Sequence, residues 1–141
     1  MESVAVPAAR PALLVVDDEV DLLELFVKRL TKAGFDVSTA STGGDAIVAL
    51  SQQAFHVVIC DINMPGGING FEVLEHVRKR AAQKIGFLFV TGHGEGTPEL
   101  EKALSLGVDG VYSKPISSRT LIAHLRQLCG LPADPVAPAA H

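Results

Sequence analysis

Two hydrophobic rhythms alternate along this chain. Short apolar runs at about residues 12 to 17, 35 to 40, 56 to 61, 85 to 90 and 109 to 113 have the length and composition of buried strands. Between them, apolar residues recur every three or four positions, the spacing of a helix with one buried face. The first such segment gathers Leu22, Leu23, Phe26, Val27 and Leu30 on one side and stops at Ala33-Gly34, a glycine exit. The second spans about Gly44 to Gln53 and turns Ala46, Ile47 and Leu50 inward. The third runs from about Asn69 to Ala82 and buries Phe71, Leu74 and Val77. The fourth opens with Thr97 as N-cap, Pro98 at the first helical position and Glu99 and Glu101 in the first turn, and closes at Gly107. The fifth covers about Ser117 to Cys129, with Leu121, Ile122, Leu125 and Leu128 facing the core.

Strict alternation of strand and helix predicts an α/β domain: an open, doubly wound, five-stranded parallel sheet with right-handed crossovers and strand order 2-1-3-4-5. Such a sheet carries its site beyond the carboxyl ends of the strands, where the order reverses between the first and third. Those two strands end in acid, in Asp17, Asp18 and Glu19 after the first and in Asp61 at the third. The fourth delivers Thr91, and the fifth delivers Lys114 followed by Pro115. One rim therefore receives acids, a hydroxyl and an amine.

Composition narrows what that rim serves. At 141 residues and 48% hydrophobic content, one domain buries its core without metal or disulfide. Residues 1 to 10 read as an arm, 11 to 129 as the domain, and the Pro- and Ala-rich stretch 130 to 141 as a disordered tail. A net charge of −4 and twelve scattered Lys and Arg residues form no basic stripe, which argues against direct nucleic-acid binding. Cys60 and Cys129 form no CxxC and read as buried thiols of a reducing compartment. MESVAVPAARP carries an acid where a secretory signal needs basic residues, and no apolar run is long enough for a bilayer. A cytoplasmic protein without a membrane partner is expected.

Carboxylates about 4 Å apart repel by roughly 4 kcal/mol per pair at an effective dielectric of about 20. A divalent cation relieves that repulsion, and oxygen donors with positions left for water suit Mg²⁺. With a lysine and a hydroxyl on the same rim, the set points to phosphoryl transfer onto a nucleophilic carboxylate.

Through LLVVDDE at the first strand, DINMPGGINGFEVL at the third, FVTGH at the fourth and YSKP at the fifth, the chain resembles the receiver domains of two-component response regulators. The resemblance covers about residues 11 to 129 and implies the family's flavodoxin-like fold. It implies that Asp61 is the phosphoacceptor, that Asp18 and Asp61 bind Mg²⁺ directly with the backbone carbonyl of Asn63, and that Asp17 acts through water. Thr91 would bind a phosphoryl oxygen and move with it, Lys114 would pair with the phosphoryl group, and the Lys114-Pro115 bond would be cis. The phosphoryl group would come from a phosphohistidine on a sensor histidine kinase or a histidine phosphotransfer protein. Output would be a changed contact with a downstream protein target or a phosphorylation-dependent dimer. The chain would then be a phosphoprotein of a phosphorelay in signal transduction, assisting its own phosphorylation and dephosphorylation without being an enzyme.

Several positions depart from the family pattern. The segments from Asp61 to Gly70 and from Thr91 to Gly107 are each one residue longer than its usual spacing. The aromatic switch position, three before the lysine, holds Val111, and the single tyrosine follows as Tyr112. Strand neighbours face opposite sides of a sheet, so Tyr112 is expected outside the switch pocket. His93, two positions beyond Thr91, reads either as a group that overhangs the acceptor or as a solvated loop histidine, and Gly92, Gly94 and Gly96 are expected to loosen that loop. Three rival readings compete with a stand-alone regulator. One is a receiver cut from a hybrid sensor kinase, to which the MPGG turn is similar. Another is an aspartate-nucleophile phosphatase, which wants a second acid two residues after the nucleophile, where this chain has Asn63. The last is a phosphorylation-independent interaction module, which the complete acid, threonine and lysine set opposes.

Overall fold

The computed structural model describes residues 10–64, 66–80, 84–92 and 97–132. Strands and helices alternate as β1 (Ala12–Val16), α1 (Val20–Lys32), β2 (Asp36–Ala40), α2 (Gly43–Gln52) and β3 (Val57–Asp61). They continue as α3 (Gly70–Arg80), β4 (Gly86–Thr91), α4 (Pro98–Ser105), β5 (Gly110–Ser113) and α5 (Ser118–Leu128). All strand pairs are parallel and the order is β2-β1-β3-β4-β5, as the alternation requires. The central strand, β3, is buried along its whole length, so its sequence is a continuous apolar run rather than an alternating one.

Side-chain direction along the strands divides the core into two layers. Leu13, Val15, Val57, Ile59, Leu88 and Val90 face α1 and α5, against Leu23, Phe26, Leu30, Leu121 and Leu125. Their strand neighbours Leu14, Val16, Val58, Cys60, Phe87 and Phe89 face the other way, against Ala46 of α2, Val73, Leu74 and Val77 of α3, and Ala103 of α4. Cys60 lies inside this layer, whereas Cys129, expected to be buried, is half-buried beyond the end of α5.

Local chemistry sets the boundaries. Helix α2 starts at Gly43, one residue earlier than expected, because the Thr42 side chain accepts from the Asp45 amide and caps it. The chain leaves α1 through Gly34 at φ 107°, a conformation open to glycine. In α3, Asn69 and Glu72 cap each other reciprocally: the Asn69 amide donates to Glu72 Oε1 at 2.9 Å and the Glu72 amide to Asn69 Oδ1 at 3.0 Å. The expected end of α3 at Ala82 lies outside the described residues, as do His93, Gly94, Gly96, residues 1 to 9 of the arm and 133 to 141 of the tail.

Both connecting segments are tied to one turn. The Arg10 guanidinium donates to the carbonyls of Thr31 and Phe35, and Arg126 donates to those of Pro132 at 2.7 Å and Ala33 at 3.3 Å. Leu131 packs on the layer under α1 and α5. The chain thus enters and leaves beside the α1 exit, at the edge of the sheet where the strands begin. Among the described residues, no helix is long and apolar enough to cross a membrane.

Candidate functional site

At the opposite edge, the carboxyl ends of β1, β3, β4 and β5 converge. The Asp17 amide still bonds to the Ala40 carbonyl at 3.0 Å, so this residue leaves β1 along the sheet direction and stays buried. Asp61 is the last residue of β3 and pairs in register with Val90, one position before the fully buried Thr91. Lys114 is steered by its own backbone, whose N–H donates to the Thr91 carbonyl at 2.8 Å just before the cis Lys114-Pro115 bond. These tethers bring one ligand oxygen from each of Asp17, Asp18 and Asp61 within 4.8 Å of one another.

Lys114 supplies the counter-charge. Its ammonium lies 3.0 Å from Asp17 Oδ2 and 3.2 Å from Asp61 Oδ2, and it also pairs with Glu19. The other oxygen of Asp61 accepts from the Asn63 amide at 3.2 Å, and the other oxygen of Asp17 from the Glu19 amide at 2.9 Å. Burial pushes the Asp61 carboxyl above the usual range, the charge of Asp17 adds to that, and Lys114 offsets part of it. For Lys114 burial works against the charged form, but the hydrogen bonds to Glu19 and Asp17 and the negative charge of Asp61 win, and its pKa is raised. One lysine among four acids leaves the rim short of positive charge. Hard oxygen donors in a mutually repelling group fit a divalent metal of the Mg²⁺ type.

The family model for the response regulator receiver domain matches residues 13–126. The chain belongs to that family. A response regulator receiver protein from Sinorhizobium medicae shares 33% identity at a TM-score of 0.73, covering 86% of this chain and 95% of that one. The chemotaxis response regulator CheY4 of Vibrio cholerae shares 30% identity at a TM-score of 0.74, covering 85% and 99%. A homolog of the transcriptional regulatory protein CpxR from Haemophilus influenzae is 35% identical over 123 residues, which are 87% of this chain and 52% of that protein. The chain thus spans about half the length of that curated relative.

Within the receiver fold, Val111 and Tyr112 stand on opposite faces of β5, which pairs with β4 residue for residue without a bulge. Val111 packs in the layer of Phe89, on the α4 side, and Tyr112 packs in the layer of α1 and α5. The Tyr112 hydroxyl shares a hydrogen bond with His124 Nδ1. The receiver's fourth acid, Glu19, touches Lys114 across 95 residues of sequence. Reading strand ends collects it with Asp17 and Asp18, but no pattern in the sequence announces its partner.

Proposed function

We propose that this receiver domain accepts a phosphoryl group on Asp61 from the phosphohistidine of a kinase or phosphotransfer protein and signals through changed protein contacts. The observation that carries the reading is the Asp61 carboxylate: a buried acceptor at a strand end, inside the acidic group, with Lys114 at 3.2 Å. An Asp61 oxygen attacks phosphorus while the bond from phosphorus to the donor imidazole nitrogen breaks, and the nitrogen keeps the electron pair. Asp18, Asp61 and the Asn63 carbonyl would hold Mg²⁺, with Asp17 acting through water. Bound there, Mg²⁺ supplies charge neutralisation to the carboxylates and to the phosphoryl oxygens. Lys114 pairs with one phosphoryl oxygen and the Thr91 hydroxyl donates to another, which draws Thr91 toward the acceptor.

Acetyl phosphate replaces the protein donor in the test. With Mg²⁺ present, intact mass shows one added phosphoryl group on the parent and none on Asp61→Asn. Equal labelling of both removes Asp61 from the role.

A further inference from the structure

Glu19 occupies the N-cap of α1, where a short polar side chain ordinarily accepts a hydrogen bond from the first helical turn. Its side chain makes no capping bond. The carboxylate reaches instead to Lys114, whose ammonium also pairs with Asp17 at 3.0 Å and with Asp61 at 3.2 Å. The three partners differ in what else they are required for. Asp17 and Asp61 belong to the carboxylate group suited to a cation, and Asp61 is the position read as phosphoacceptor. Glu19, whose side chain is 58% exposed, stands outside that group. A cation and a phosphoryl group therefore engage two of the lysine's partners and leave the third in place.

Resting on the phosphoacceptor reading, we infer that Glu19 is a positioning residue that tethers Lys114, so that a phosphoryl group on Asp61 competes with Glu19 for the lysine. The tether sets how firmly the phosphorylated state is held. The Glu19 carboxylate acts through Lys114 alone, while the backbone N–H of the same residue, which Glu19→Gln retains, donates to Asp17. An ion pair with one exposed partner contributes little, so its removal changes phosphoryl affinity by about two- to fivefold rather than by orders of magnitude.

Calorimetric titration of the full chain with beryllofluoride, a phosphoryl mimic, in saturating Mg²⁺ reads this directly. Glu19→Gln keeps the shape and removes the charge, and lowers the half-saturating concentration by about two- to fivefold. Asp21→Asn, the same charge change in the first turn of α1, leaves it unchanged. A second measurement follows the Nζ resonance of Lys114 in ¹⁵N-lysine-labelled, Mg²⁺-loaded protein, assigned by its loss in Lys114→Arg. That resonance shifts in Glu19→Gln and stays in Asp21→Asn. Unchanged or weakened binding in Glu19→Gln, an equal gain in Asp21→Asn, or an unmoved Nζ resonance overturns the tether. Failure of the phosphoacceptor reading looks different: parent and Asp61→Asn respond alike to the mimic, and the Nζ measurement still decides the tether.

Discussion

Gly70 shows how tightly the acceptor's backbone is held. A Cβ there would lie 2.5 Å from the Asp61 carbonyl oxygen and 2.9 Å from the Ile62 Cα, both backbone atoms that cannot rotate aside. Gly70→Ala is expected to cost about 1–3 kcal/mol in urea unfolding and to lower acetyl phosphate labelling, because the strain falls on the residue that carries the carboxylate. Tyr112 offers a second single-residue test. Burial raises its hydroxyl above the usual range, so the fold favours the neutral phenol. That contribution is fully present below the unfolded value of about 10 and is lost as pH rises through the higher folded value. The chain has one tyrosine and no tryptophan, so alkaline phenolate absorbance reads this group alone. Its midpoint is expected above that of a free tyrosine amide, and its emission is expected to stay unchanged when beryllofluoride binds. The residues legible from sequence were those at strand ends, Asp17, Asp18, Asp61, Thr91 and Lys114, since a strand end has a fixed place on the rim. Contacts such as Glu19 to Lys114 and Tyr112 to His124 depend on how a helix crosses the sheet, which hydrophobic spacing leaves open.

Among the elements, α3 has the closest bearing on the site, because its first residue lies against Asp61 and its reciprocal cap fixes where it starts. Asn69→Ala leaves one of the orphan amides of the first turn without its side-chain acceptor. A loss of about 1 kcal/mol is expected, or about 4 °C in a thermal melt for a domain of this size. Combined with Glu72→Ala, the loss is expected to fall short of the sum, since each variant already breaks the box. Helices and strands were readable to within one or two residues where a cap or a glycine marks the end, as at Gly34 and Thr97. At α2 the reading ran one residue late because Gly43 is a poor helix former on its own. It is helical because Thr42 caps the turn, and it is glycine because the carbonyl oxygen and side chain of Ile68 pass where a Cβ would stand.

At the scale of the whole molecule, the acidic rim opposes folding unless its charge is met. Mg²⁺ is therefore expected to raise the melting temperature, with about 1.4 kcal/mol gained for each tenfold excess over its dissociation constant, and a chelator reverses the gain. Asp18→Ala is expected to lose this response while melting no lower than the parent in chelator, because it removes an exposed member of a repelling group. Parallel melts of the two proteins, each with Mg²⁺ and with chelator, check both statements. The arginine ties at the far end carry a spatial consequence. Arg10 and Arg126 clamp the incoming and outgoing chain to one turn of α1, a full strand length from the rim. Residues 10 and 132 are thereby held side by side at one end of the domain, and the acceptor lies at the other.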